Sequence, residues 1–357
     1  MRGIVWDGER LIVTDALDVR APREGEVKVR VLRTGLCHSD MNMMEIPGVQ
    51  VPIVLGHEGA GVVAEVGPGV TQWQVGDAVM IGTQTPCGEC RECRRGTPAN
   101  CDINWGYVSD NPFTWEGQPT GKFANVSSFA GETVVKASQL YATGDLPPEQ
   151  AALIGCAVST GYCASCVLGE VREGDRVMVI GVGGIGVNAI QGAKLAGGTV
   201  LAVDMNPDKE EVARSFGADA FLVSQRGESA QDLARRMREA FAPIDVVVEC
   251  CGAPSAIEAS LLAVKRGGRV VLIGMAAFGS TAALPLDKVV SGCEIVAVMA
   301  GGARPERDYP ELIRLAQQGR LEIASQITRV WPLAEVEDAM EALRTGQVTR
   351  AVLDHTR

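Results

Sequence analysis

Residues 25–33, Gly-Glu-Val-Lys-Val-Arg-Val-Leu-Arg, set Val27, Val29 and Val31 between charged neighbours, the period-two pattern of a strand with one buried face. Apolar runs at 61–66 and 77–81 follow, separated by turn formers such as Gly67-Pro68-Gly69, so about the first 150 residues predict a mainly β region. The texture changes near residue 175. Six short apolar runs, at 176–180, 199–203, 220–223, 245–249, 269–273 and 294–298, alternate with helix-like segments. That alternation predicts a doubly wound parallel sheet. A helical segment at 309–318 and two further strand or helix signals complete the chain, too short for a domain of their own and expected to pack back on the first region. The uncharged stretch 150–169 has the length of a membrane span, but its Gly, Ser, Thr and Cys content predicts a buried helix instead.

Length and charge narrow the function. At 357 residues with 46% apolar content the chain can build two cored domains. A net charge of −11 would repel a phosphate backbone, so nucleic acid is not an expected partner. The amino-terminal residues carry no basic and apolar leader pattern, which together with eleven cysteines leads to the expectation of a cytoplasmic protein whose thiols stay reduced. No membrane partner is expected.

The run 176–180 leads directly into Gly181-Val-Gly183-Gly184-Ile-Gly186 and then a helix-like segment, the context a dinucleotide-binding glycine loop needs. Gly181 would allow the tight turn, Gly183 the approach of the backbone to a pyrophosphate, and Gly186 close packing of helix on strand. Asp204 ends the next strand, 18 residues past Gly186. Its carboxylate suits the two ribose hydroxyls of NAD and would repel the extra phosphate of NADP, and it is equally able to cap a helix starting at Pro207.

Two groups of residues point to metal. Cys87, Cys90, Cys93 and Cys101 form C-x2-C-x2-C-x7-C in a polar lobe spanning 83–105. Four thiolates close a tetrahedral zinc site and leave no place for a substrate, so this ion would be structural. The second group is dispersed: Cys37-His38-Ser39-Asp40, Gly56-His57-Glu58, and Gly155-Cys156 leading to Thr160-Gly161. Two cysteines and a histidine would leave one tetrahedral position open, although spacing alone does not connect these segments. His355, the third histidine, sits in a tail expected to be solvated.

Taken in order along the chain, these motifs resemble the zinc-dependent alcohol dehydrogenases of the medium-chain dehydrogenase/reductase superfamily. The resemblance implies a GroES-like catalytic domain (1–157 and 300–357) with a Rossmann domain (158–299) inserted, two zinc ions per subunit, and a homodimer or homotetramer. It assigns Cys37, His57 and Cys156 as catalytic zinc ligands, Glu58 as a possible transient ligand and Asp40 as the group holding His57. His38 and Arg350 match positions at the cofactor pyrophosphate, Thr160 one near the nicotinamide, and Lys209 one near the adenosine ribose.

The chemistry accords with those assignments. Ionising an alcohol at pH 7 costs about 12 kcal/mol at roughly 1.36 per pKa unit, and an open zinc position removes most of that cost. Ser39 is placed to accept the proton, but Asn42 stands where relatives have a histidine to pass it on, and an amide cannot titrate. Trp105, Tyr107, Phe113, Trp115, Phe123 and Phe129 cluster in sequence. They predict either an apolar wall for a bulky or aromatic primary alcohol or aldehyde, or packing around the zinc lobe. Relatives that oxidise a formaldehyde–thiol adduct need a basic residue at the pocket, and 102–121 contain no Lys or Arg. A reductase of iminium or conjugated bonds on the same scaffold, and a non-catalytic zinc- and nucleotide-binding scaffold or redox sensor, are the competing functions. Cys163 and Cys166 are expected to pack in a core.

Overall fold

The computed structural model describes residues 1–102 and 111–357. They form two compact units, Met1–Cys156 with Arg304–Arg357, and Ala157–Ala303.

In the second unit six parallel strands, Arg176–Ile180, Thr199–Asp204, Ala220–Val223, Val246–Glu249, Arg269–Leu272 and Glu294–Val296, lie in the order third, second, first, fourth, fifth, sixth. The order reverses between the first and fourth strands, which creates the crevice at the carboxyl ends where ligands of such sheets bind. Val177, Met178, Val179, Val247 and Val248 are fully buried, as continuous apolar strands covered on both faces should be. Helix Ala230–Phe241 starts where the Ser229 side chain accepts the Asp232 amide, a capping contact that satisfies one of the orphan N–H groups of the first turn.

The first unit is built on a seven-stranded sheet around Glu26–Gly35 and a six-stranded sheet containing Gly3–Trp6 and Ile53–Val54. The predicted alternation holds: Val27, Val29 and Val31 are buried, while Lys28 on the opposite face reaches Glu65 at 3.1 Å. The carboxy-terminal segment returns to this unit, because Arg350–Asp354 pairs antiparallel with Glu26–Gly35 through Val352 and Gly35. Its helix begins at Pro305, earlier than the pattern predicts, since proline suits a first turn and the Asp308 carboxylate accepts the Arg304 amide.

The stretch 150–169 is helical but not uniformly so. Regular turns at Pro148–Leu153 and Ser159–Cys163 alternate with wider π-type turns at Ile154–Val158 and Ala164–Leu168. Pro148–Leu168 is long and apolar enough to cross a membrane and is mostly buried inside the protein, as a core helix is. The wide turn carries Cys156, in keeping with the tendency of such turns to occur at functional sites. Cys163 is fully buried, and Cys166 donates to the Gly192 carbonyl.

Candidate active site

Cys37 stands at the entrance of helix His38–Glu45, and Asp40 in its first turn is fully buried. The Asp40 carboxylate ties two segments of chain together: one oxygen accepts the Cys37 amide at 3.1 Å, and the other accepts the Gly56 amide at 2.9 Å and faces His57 Nδ1 at 3.2 Å. With Nδ1–H held by a carboxylate, Nε2 is the nitrogen that the neutral ring can offer to a metal. That atom is buried and has no hydrogen-bond partner among the described residues. The Phe123 ring packs edge-on against the imidazole, with centroids 5.2 Å apart.

Ligand atoms of Cys37, His57, Glu58 and Cys156 lie within 4.8 Å of one another. The structure therefore brings together the segments that spacing alone does not connect. Their protonation is mutually dependent. A hydrogen bond from Cys156 holds the Cys37 thiol well below its ordinary range, and the same contact together with burial pushes Cys156 up. Burial works against a charged His57, but Asp40 and Cys37 outweigh it and raise the imidazole well above 6.5. Burial pushes Glu58 up to about 7 against the pull of Arg350. Two thiols, an imidazole with an unpartnered nitrogen and a carboxylate, all buried except the half-buried Cys156, form a donor set suited to zinc.

Arg350 forms a buried ion pair with Glu58. The resemblance places it at the cofactor pyrophosphate, yet it is only 3% exposed and its guanidinium is engaged by Glu58. This pair joins residues 292 positions apart, and no local pattern could have revealed it. Ser39 Oγ lies 3.6 Å from Cys37 Sγ. His38 is exposed, and Thr160, in the other unit, is buried.

Cys87, Cys90, Cys93 and Cys101 also converge within 4.8 Å. The Sγ separations are 3.9 Å for Cys87–Cys93 and 4.0 Å for Cys90–Cys101. Thiolates about 2.3 Å from a zinc ion make a tetrahedron with edges of about 3.8 Å. The lobe fits zinc.

In the second unit the glycine loop has the form a dinucleotide cradle requires. Gly181 has φ of +92°, a Cβ on Gly186 would lie 1.8 Å from the Gly181 carbonyl oxygen, and a Cβ on Gly183 would meet nothing within 4 Å. Gly183 caps helix Gly184–Leu195. Asp204 does not cap a helix from Pro207, since that helix runs Lys209–Ser215. Instead its two oxygens accept the Val182 amide at 2.7 Å and the Asn206 amide at 2.9 Å, tying the second strand to the glycine loop. Lys209 is half-buried, which lowers its pKa although Asp204 nearby opposes the shift.

Two sequence expectations change. Phe113, Phe123 and Phe129 are buried in the core cluster of the first unit together with Ile4, Leu17 and Leu55, with Trp115 packed against it. Their sequence clustering reflects core packing as well as the contact of Phe123 with His57, while Trp105 and Tyr107 lie outside the described residues. His355 is not a solvated tail residue. It follows the inserted strand Arg350–Asp354, its Nε2 is buried, and burial pushes its pKa down to about 4.

Comparisons with known proteins agree with this architecture. Residues 23–148 match the alcohol dehydrogenase GroES-like domain and residues 184–318 the zinc-binding dehydrogenase family. The chain is 34% identical over 352 residues to an S-(hydroxymethyl)glutathione dehydrogenase of Photobacterium damsela subsp. piscicida, covering 95% of each. It is 34% identical over 364 residues to an NDMA-dependent alcohol dehydrogenase of Amycolatopsis methanolica, covering 96% of this chain and 95% of that one. Benzyl alcohol dehydrogenase from Acinetobacter calcoaceticus superposes with a TM-score of 0.90 at 28% identity, covering 99% and 98% of the two chains. The protein belongs to the zinc-dependent alcohol dehydrogenase family of the medium-chain dehydrogenase/reductase superfamily, with a GroES-like and a Rossmann-type domain.

Proposed function

We propose that the protein is an NAD-dependent dehydrogenase that interconverts a bulky or aromatic primary alcohol and its aldehyde, using one catalytic and one structural zinc per subunit. The observation that carries this reading is the meeting of Cys37, His57 and Cys156 around an unpartnered, buried imidazole nitrogen. Bound there, zinc would supply Lewis acidity at the substrate oxygen, and NAD would supply the hydride acceptor. Cys37, His57 and Cys156 would hold the ion, Asp40 orients the histidine, and Glu58 lies among the ligand atoms with its charge balanced by Arg350. Ser39, beside Cys37, accepts the substrate proton. Asn42 cannot carry that proton further by titrating, so it passes to solvent.

On the cofactor side, Gly181, Gly183, Gly184 and Gly186 receive the pyrophosphate, Asp204 the ribose hydroxyls, Lys209 the adenosine end, and Thr160 the nicotinamide end. Of the two further residues that the resemblance assigns to the pyrophosphate, the exposed His38 is the main one, because Arg350 is engaged by Glu58. A homodimer or homotetramer is supported by the edge strand Glu294–Val296 and the apolar residues around it, with Val290 88% and Leu286 70% exposed. The free thiols suit a reducing, cytoplasmic setting.

A second reading, oxidation of a formaldehyde–thiol adduct, is supported by the similarity to S-(hydroxymethyl)glutathione dehydrogenases. One experiment separates the two. Zinc is counted per chain, and NADH absorbance is followed with benzyl alcohol and with S-(hydroxymethyl)glutathione. Two ions and faster turnover of benzyl alcohol support the proposal, and preference for the adduct supports the second reading. One ion with no turnover of any alcohol would leave a zinc- and nucleotide-binding scaffold.

A further inference from the structure

The side-chain amide of the half-buried Gln84 is unpaired. Both its Nε2 and Oε1 are shut off from solvent, and neither has a hydrogen-bond partner among the described residues. Such groups are rare in folded proteins, because an amide removed from water without replacement bonds carries its whole desolvation cost. Where a protein keeps one, an absent ligand or water is the first explanation to test.

The position of Gln84 says which ligand. Strand Ala78–Ile81 pairs with Glu58–Val66 through Ile81 and Gly59, so the chain leaves the sheet next to the segment carrying His57 and Glu58. Two residues on, the Thr83 hydroxyl donates to the carbonyl of Gly155, the residue before Cys156. On the other side of Gln84, Thr85 is buried and accepts from the Asn125 amide, two residues from the Phe123 that packs on His57. Gln84 thus lies between two anchors, one tied to the residue before Cys156 and the other to Asn125, two residues from the ring that packs on His57.

We propose that the Gln84 amide is a specificity-determining group that recognises a hydroxyl on the substrate other than the one oxidised. This deepens the alcohol dehydrogenase reading and rests on it. A primary amide offers one donor and one acceptor side by side, and a hydroxyl can satisfy both, accepting from Nε2 and donating to Oε1. An ether or ketone oxygen can satisfy only one, and a methyl group neither. The favoured substrates are therefore hydroxylated alcohols, such as hydroxybenzyl alcohols, rather than plain hydrocarbon ones. The side chain does no chemistry; it positions and selects.

The test uses isosteric substrates, 3- and 4-hydroxybenzyl alcohol against 3- and 4-methylbenzyl alcohol, with the intact zinc-loaded protein and its Gln84→Met variant. Methionine keeps the length of the side chain and removes its hydrogen bonding. The wild type is expected to favour at least one hydroxylated alcohol over its methyl counterpart by about tenfold or more in kcat/KM. Gln84→Met should abolish that preference while changing kcat/KM for the methyl compounds less than about threefold. Its melting temperature should be unchanged or higher, since the free protein loses no bond.

A second readout is the rise in melting temperature caused by 4-hydroxybenzaldehyde against 4-methylbenzaldehyde, which reports binding without turnover. The larger rise with the hydroxy compound should vanish in the variant. Equal losses for both substrate series, no preference in the wild type, or a lower melting temperature with substrate use unaffected would overturn the proposal; the last would make Gln84 a structural group bound to water. If no alcohol is oxidised, the dehydrogenase reading fails by itself, and the binding comparison still decides the role of Gln84.

Discussion

Two neighbouring glycines in the loop Gly181–Gly186 should respond in opposite ways to the same added methyl group. At Gly186 the new Cβ would lie 1.8 Å from the Gly181 carbonyl oxygen and 2.9 Å from its carbon, where ordinary contact begins near 3.4 Å. Turn and helix Gly184–Leu195 must then part by about 1.6 Å, and both sides of the clash are backbone. Overpacking of this kind costs about 1–3 kcal/mol. At roughly 2–4 °C per kcal/mol, Gly186→Ala should lower the melting temperature by about 2–12 °C. At Gly183 the added atom meets nothing within 4 Å, and φ of −96° suits any residue. Gly183→Ala should leave melting unchanged or raise it slightly, because alanine restricts the unfolded chain. If that open space admits the pyrophosphate, however, the methyl occupies it. NAD affinity, followed by calorimetric titration, should then fall at least about tenfold, or about 1.4 kcal/mol. A Gly183→Ala protein that binds NAD like the wild type would refute the assignment of the cradle. A Gly186→Ala protein that melts like the wild type would refute the steric argument.

Other expectations follow from the two sulfur clusters, Asp204 and His355. Structural zinc contributes about 10–16 kcal/mol in small domains, so Cys93→Ala should lose one zinc of two and melt far lower, whereas Cys156→Ala should stay folded and lose alcohol oxidation. Equal effects of the two in metal analysis and calorimetry would contradict two distinct sites. Asp204→Asn removes the charge proposed to meet the ribose while keeping an oxygen for the Val182 amide; the ratio of kcat/KM for NADP to that for NAD should rise about tenfold or more, and an unchanged ratio would remove Asp204 from cofactor selection. Burial holds His355 near a pKa of about 4 against an ordinary 6.5. Its contribution is complete above pH 6.5, declines as pH falls from there to about 4, and is flat below. The loss should amount to about 2–3 kcal/mol, seen as a fall in urea midpoint between pH 7 and 4.5 that is smaller in His355→Gln.

What could be read from the chain alone depended on the range of the interaction. Val27, Val29 and Val31 announce their strand because a sheet face repeats every second residue, and the six Rossmann strands show as apolar runs because both faces are covered. The four-cysteine lobe is legible for a similar reason, since Cys87 to Cys101, which converge on one another, lie within one short stretch of chain. Cys37, His57 and Cys156 are different. Their meeting is produced by Asp40 tying helix His38–Glu45 to the Gly56–His57 segment and by the wide turn at Ile154–Val158, and neither leaves a periodic trace; only family resemblance connected them. Long-range charge is harder still. Nothing near Arg350 indicates Glu58, and the terminal position of His355 suggests solvent exactly because sequence distance from the core is a poor guide once Arg350–Asp354 inserts beside Glu26–Gly35. Gln84 marks the far end of this scale. Its sequence context, Thr-Gln-Thr-Pro, reads as an ordinary polar turn, and only the folded chain shows that its amide is buried and unpaired. Burial without a partner is a property of the folded chain, and a pattern of apolar and polar positions is least able to disclose it.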